Sequence, residues 1–288
     1  MKKVLVPTDF SPCAANAVDF AVQTAKFLQA EITLLHAFQV DGNLNTDHVG
    51  ITREFTQTMI GEAYHELVQL KRRIKETEGV DVTSLVYTNS VTESILSATR
   101  DKNIDFIVMG TLGASGVKEK LWGSQTGALI GKTSVPVIVV PAEYKWRPPK
   151  KILLITNYFE KEPAILDFLF ELAGFYQTEV NVAVVTNEDE GAAKILEHGR
   201  KISQYELMLK ERYKANTLTT AHLSGTDFER TLQDYLTKNE ISILAMVTHK
   251  RSFLDRIFHP SITKRMSFHT KVPLLAIPCS SHPITDEF

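Results

Sequence analysis

Short runs rich in valine, isoleucine and leucine recur along the chain, apolar at successive positions. Between them lie longer stretches in which apolar residues return every three or four positions. The runs at 3–7, 31–37, 82–87, 104–109 and 137–140 predict strands, and the periodic stretches at 13–29, 52–77, 92–101 and 124–133 predict helices. Strands that are apolar on both faces belong inside a parallel sheet covered by helices on each side. The alternation then restarts, with strands expected near 151–155, 179–185, 217–222, 241–247 and 274–277.

The restart is a repeat. "KKVLVPTDF" at 2–10 reads like "KKILLITNY" at 150–158, and the same offset of 148 lays "AEITLLHAF" at 30–38 on "TEVNVAVVT" at 178–186. Later the offset becomes 137: Met109 matches Met246, Thr111 matches Thr248, Ser124 matches Ser261, Thr126 matches Thr263, and Val135-Pro136 matches Val272-Pro273. The second copy is thus 11 residues shorter in between, a deletion expected in the polar stretch "QVDGNLNTDHVGI" at 39–51. A unit of about 140 residues is a duplicated domain, longer than a solenoid repeat. The expected organisation is a first domain over 1–143, a linker over 144–150 stiffened by Pro148-Pro149, and a second domain over 151–288. The fold class is α/β: two tandem, doubly wound, Rossmann-like parallel sheets of five strands each. Such sheets take ligands at the C-terminal strand ends, where the strand order reverses.

Composition narrows the function. A net charge of −2 over 288 residues argues against nucleic acid or an anionic membrane as the main partner. The basic group "LKRRIK" at 70–75 shares a helical pattern with Glu62, Glu66, Glu76 and Glu78 and reads as a solvated face. No apolar stretch reaches the length of a membrane span, and "MKKVLVPTDF" has too short an apolar run for a secretory leader. Cys13 and Cys279 suggest no disulfide framework; the expected compartment is the cytoplasm.

Chemistry concentrates in "GTLGASGVKEKLWGSQT" at 110–126, which follows the strand at 104–109 and holds four of the chain's 14 glycines. Gly110 suits a turn at the strand end, Gly113 lets backbone approach a ligand, and Gly123 precedes a helix start whose unpaired N–H groups favour an anion. Ser124 and Thr126 add hydroxyl donors. Together these parts make a phosphate cradle. The first strand ends in Pro7-Thr8-Asp9. Asp9 there either caps the next helix, with or instead of Ser11, or accepts hydrogen bonds from a ribose.

Other motifs fall away. "GALIGKTS" at 127–134 has three residues between its glycines where a Walker A loop needs four, and it falls inside a predicted helix. "GTLGASG" lacks the GxGxxG spacing. No histidine pairs with cysteine or carboxylate at metal-ligand spacing, so no protein metal site is expected. His36, at the end of an apolar strand, reads as a satisfied core residue.

The spacing Gly110-x2-Gly113-x9-Gly123-Ser124, with "PTDFS" at 7–11 and "LLHAF" at 34–38, resembles the universal stress protein family in two tandem copies. The resemblance is strong over 1–141 and weaker over 150–279. It implies the adenine nucleotide alpha-hydrolase-like fold and an ATP site. Pro7, Thr8 and Asp9 would lie against the adenosine, and Ala37 would offer backbone hydrogen bonds to the adenine. Met109 and Gly110 would face the nucleoside. Gly113, Gly123, Ser124, Gln125 and Thr126 would surround the phosphates, with or without Mg²⁺. In the second copy Asp9 becomes Asn157, and Gly110, Gly113 and Gly123 become Val247, Lys250 and Pro260. Added side chains and a missing N–H predict no ATP there.

The resulting expectation is an ATP-binding regulatory protein of the stress response, with nucleotide in the first domain only and no catalytic residue assigned. It includes pairing of 137–140 with 274–277 as an intrachain pseudo-dimer, with a homodimer of whole chains left open. Two other readings stay open. One is a weak ATPase of the same fold. The other is a non-nucleotide binding module with an apolar pocket under the 41–60 region, where Phe55, Met59, Ile60, Ala63, Leu67, Leu70 and Ile74 fall mostly at helical spacing and favour a core.

Overall fold

A computed structural model of the chain describes residues 1–39, 49–111, 124–156, 159–160, 163–188, 191–214, 218–249 and 271–279. They form two compact units. Most of the first 129 residues together with Val140–Trp146 make one; Ile130–Val139 and the chain from Arg147 make the other.

The first unit winds as expected. Strands β1 (Lys3–Pro7), β2 (Glu31–Ala37), β3 (Val82–Tyr87) and β4 (Phe106–Gly110) lie in the order β3-β2-β1-β4. The printed pairings of β1 with β2, β1 with β4, and β2 with β3 are all parallel. Helices α1 (Pro12–Leu28) and α2 (Val49–Glu78) carry the chain outward from β1 to β3. Helix α3 (Val91–Asp101) brings it back to β4, and α4 (Ser124–Ile130) follows. Because parallel crossovers are right-handed, this reversal places the two helix pairs on opposite faces. The contacts agree: Gln23 of α1 donates to Glu78 of α2 at 2.8 Å, and Thr92 of α3 donates to Gln125 of α4 at 3.0 Å. Val4, Leu5 and Val6 of β1 and Phe106, Ile107 and Val108 of β4 are wholly buried between those faces. On α2, Ala63, Leu67, Leu70 and Ile74 are buried too, so the apolar stripe read from the sequence is core along this part.

The second unit contains β5 (Val137–Val140), β6 (Lys151–Ile155), β7 (Glu179–Asn187), β8 (Leu218–Gly225), β9 (Ile243–His249) and β10 (Leu274–Cys279), in the order β5-β10-β9-β6-β7-β8. Its helices are α5 (Asp167–Tyr176), α6 (Ala192–Tyr213) and α7 (Phe228–Lys238). Strands β6 to β10 pair in parallel, whereas β10 meets β5 antiparallel, with Leu275 opposite Ile138. The α/β class and the Rossmann-like parallel winding expected from the sequence are those of the structure.

The repeat is visible in the backbone. Gln29 and Gln177, 148 apart, each end a helix in the left-handed region with φ near 50°. Asn103 and Glu240, 137 apart, both have φ 53°. Strands β4 and β9 each start two residues later than predicted, for one reason. Ile104 and Ile241 donate their N–H groups back to Thr99 and Leu236, closing the preceding helix, and the next residues bond to Lys3 and Lys151 outside the strand. The shortening between copies is not confined to the polar loop: α2 has 30 residues and α6 has 22. Helix α4 stops at Ile130 rather than 133. There Gly131 follows, and the Thr133 hydroxyl accepts from the Val135 amide ahead of Pro136.

On the α5–α6 side of the second unit, Asp167 accepts from Arg212 Nη2 at 3.0 Å and from the Tyr213 hydroxyl at 2.7 Å, while Phe170 stacks on Tyr213 at 3.8 Å. Burial, then the bond to Asp167, pushes the Tyr213 hydroxyl up to about 12. An unfolded tyrosine ionises near pH 10. The protonated phenol is favoured by the fold, so its contribution is complete below about pH 10 and is lost as pH rises through about 12. Burial raises the Tyr205 hydroxyl as well, so phenolate absorbance should show late-titrating tyrosines, of which Tyr213→Phe removes one.

Candidate functional site

The turn after β1 is built from three consecutive local hydrogen bonds. Thr8 extends the ladder by donating its N–H to Leu35 O at 2.8 Å, and its buried Oγ1 accepts from Phe10 N at 3.1 Å. Asp9 Oδ1 accepts from Ser11 N at 3.0 Å. Ser11 Oγ accepts from Ala14 N at 3.2 Å and so caps α1, with Pro12 in the first helical position, where its missing N–H costs nothing. These bonds decide which residue caps the helix. Ser11 is the cap, and Asp9 forms an Asx turn that leaves its carboxylate exposed at the strand's C-terminal end.

Two neighbours brace the turn. Phe10 has a φ of 60°, which is strained for an aromatic residue, and its ring stacks on His36 with centroids 4.7 Å apart. His36 Nδ1 lies 2.8 Å from the Thr8 carbonyl. A carbonyl only accepts, so Nδ1 is the donor. His36 is thus satisfied, as the sequence suggested, but within the wall of the candidate site. No motif in the sequence links Phe10 to His36; an aromatic two residues after Thr8 is the signal for the stack.

The end of β4 sits beside this turn because β1 pairs with β4. Met109 is buried. A Cβ on Gly110 would fall 2.7 Å from Cys13 Sγ and 3.0 Å from the Cys13 carbonyl oxygen, so glycine is demanded there by the first turn of α1. Thr126, also buried, donates its hydroxyl to the Gly110 carbonyl at 3.2 Å, and Gln125 Oε1 accepts from Thr92. Both side chains bond within the protein. Ser124 opens α4. Gly113 and Gly123 lie outside the described residues.

Pro7 at the end of β1, Thr8 and Asp9 just after it, Ala37 at the end of β2 and Met109-Gly110 at the end of β4 thus meet at one C-terminal edge, where the strand order reverses. Thr126 is tied to it through Gly110. A cavity of about 370 Å³ opens beside Thr8 and Phe10 on the α1–α2 flank, with Glu66, Arg72, Arg73 and Glu76 of α2 on its far wall. Among the described residues there is no cluster of His, Cys, Asp and Glu able to hold a metal, and no helix long and apolar enough to cross a membrane.

In the second unit the same edge is differently furnished. Thr156 repeats Thr8, donating to Ala183 O at 3.0 Å. Its hydroxyl accepts from Phe159, three residues on instead of two, and Phe159 has φ 49°. Val247, the counterpart of Gly110, is buried in β9. Thr186 Oγ1 lies between His198 Nδ1 at 2.7 Å and His222 Nε2 at 2.8 Å. This pair, 24 residues apart in the chain, had no motif to mark it. Asn157, Lys250, Arg251, Arg256, His259, Pro260, Ser261 and Thr263 lie outside the described residues.

Comparison with known proteins agrees with this architecture. The model of the universal stress protein family matches residues 1–141. Universal stress protein YxiE of Bacillus subtilis is 30% identical over 144 residues, 48% of this chain and 97% of its own. Universal stress protein MJ0577 of Methanocaldococcus jannaschii is 30% identical over 154 residues, 48% of this chain and 94% of its own. A crystal structure of a universal stress protein from Archaeoglobus fulgidus shares the fold of both units, covering 96% of each chain with a TM-score of 0.69 at 17% identity. A reversed strand order with Asp9 and Gly110 at its switch point, together with near-complete matches to two such proteins, places this chain in the universal stress protein family.

Proposed function

We propose that the N-terminal half binds one ATP per chain at the C-terminal edge of its sheet and that the chain is a regulatory stress-response protein rather than a metabolic enzyme. The observation that carries this reading is the outward-held carboxylate of Asp9, beside Gly110 at the point where strand order reverses. Pro7, Thr8, Asp9, Ala37, Met109 and Gly110 would contact the nucleoside. Backbone N–H groups from Gly113 through Gly123 to Thr126 would hold the phosphates, with Mg²⁺ bound through the phosphates. Because Thr126 donates its hydroxyl to Gly110, its part in this reading is to fix the strand end and offer its amide.

The second half carries no ATP in this reading. Val247 supports it, since a buried side chain stands where the first half has glycine. The two repeats form a pseudo-dimer through 137–140 and 274–277, a reading supported by the register of Leu275 opposite Ile138. The assembly of whole chains and the cytoplasm as its compartment follow from the same family reading.

Native mass spectrometry of the full chain incubated with ATP tests the proposal. One nucleotide per chain is expected, at an oligomeric state read from the same spectrum. Two nucleotides per chain, or none, would overturn it. Multiple turnovers of phosphate release would instead favour the weak ATPase.

A further inference from the structure

The two copies differ at the opposite edge of the sheet, and the difference opens a cavity. In the first unit Gln23 and Lys26 of α1 both reach the Glu78 carboxylate at the end of α2. The bond from Lys26, then that from Gln23, holds the Glu78 carboxyl below the usual carboxylate range. The groove between these helices is bridged. The offset of 148, confirmed here by the matching helix ends at Gln29 and Gln177, replaces Lys26 by Gly174, Gln23 by Glu171 and Ala30 by Thr178. The long bridging side chain is gone, and a hydroxyl is added below it.

What results is a cavity of about 690 Å³ between α5, the end of α6 and the start of β7. This is within the usual range of small-molecule sites, about 300–1,000 Å³. Phe170 and Tyr213 give it a stacked aromatic wall. Asp167, already paired with Arg212 and the Tyr213 hydroxyl, and Glu171 line it as carboxylates, and Lys214 lines it as a cation. Both helices end at this cavity and α5 also begins there at Asp167, so two negative helix ends and one positive end border it. Thr178 lines it with 8% of its surface exposed, and its Oγ1 has no hydrogen-bond partner among the described residues. A buried hydroxyl without a partner is destabilising. A rotation about χ1 exchanges it with the methyl group and offers it to a ligand.

We infer that this cavity of the second unit is a binding site for a small organic ammonium ion with an aromatic body. The ring packs on Phe170, whose other face stacks on Tyr213. The ammonium, which has three donors and no acceptor, meets the Glu171 carboxylate, the helix-end carbonyls and the Thr178 oxygen.

The test uses the full chain and three probes of like shape: 2-phenylethylammonium, 2-phenylethanol and 3-phenylpropanoate, titrated by ligand-observed NMR. The ammonium should bind with a Kd of about 1 mM or tighter, the alcohol about tenfold more weakly, and the carboxylate more weakly still. Gly174→Lys restores the side chain of the first copy. A Cβ at Gly174 meets nothing within 4 Å and Lys is the better helix former, so the variant should fold with a melting temperature no lower than before and bind the ammonium at least about tenfold more weakly. Thr178→Val, which keeps the shape and removes the oxygen, should weaken ammonium binding more than alcohol binding. No binding of the ammonium at about 10 mM, equal binding of all three probes, or full binding to Gly174→Lys would each overturn the assignment.

Discussion

Gly110→Val is expected to destabilise the first unit by about 3 kcal/mol, at the upper end of overpacking costs. Gly110 is not in the left-handed region, so the cost does not come from backbone conformation. It comes from contact. The first added carbon already meets Cys13 Sγ at 2.7 Å, and the Cys13 carbonyl oxygen at 3.0 Å and carbon at 3.2 Å, before the two methyl groups of valine are placed. The sulfur belongs to a short side chain with little room, and the other two atoms belong to the capped first turn of α1. Relief requires moving that turn away from β4, against the bonds that tie Ser11 to Ala14 and Asp9 to Ser11. Urea denaturation should show the loss as a lower midpoint. Cys13→Ala removes the nearest atom but not the backbone contacts, so in a double-mutant cycle it should restore part of the stability and not all of it. An unchanged midpoint in Gly110→Val would mean that α1 does not approach β4 this closely.

That glycine shows where sequence reading reached and where it stopped. Its position at the end of a strand was legible, because a run of apolar residues ended there. Its reason was not, because Cys13 is 97 residues away in the chain and only the β1–β4 pairing brings them together. The repeat was legible for a physical reason: Val, Ile and Leu in buried parallel strands vary within narrow limits, so two copies stay alignable. The later starts of β4 and β9 were not, since Ile104 and Ile241 are as apolar as strand residues but use their amides to close a helix. The Thr8–Asp9 turn was read correctly as a strand end, yet the division of labour between Asp9 and Ser11 depended on which oxygen faced which amide. The cavity of the second unit was hidden for the opposite reason. Gly174 interrupts no pattern, and its consequence appears only when the structure sets it against Lys26.

Gly113→Val and Gly123→Val are expected to abolish ATP binding while leaving thermal stability unchanged, in contrast to Gly110→Val. In the proposed cradle the phosphates are held by backbone amides, and a branched side chain keeps them from the close approach those bonds need. A hydrogen bond to a charged group contributes about 1.5–3 kcal/mol, so losing two should weaken binding roughly 100-fold or more. Calorimetric titration of ATP into each variant measures this directly. Lys250→Gly should leave ATP binding as it was, because restoring one glycine in the second half does not remove Val247 or Pro260. The comparison separates two roles that adjacent glycines share in the sequence. Gly110 answers to a helix and its loss should be read in stability, whereas in the proposed cradle Gly113 and Gly123 answer to a ligand and their loss should be read in affinity. ATP affinity retained in both loop variants would remove the backbone cradle from the mechanism, leaving the nucleoside contacts at Asp9 and Ala37 to account for any binding.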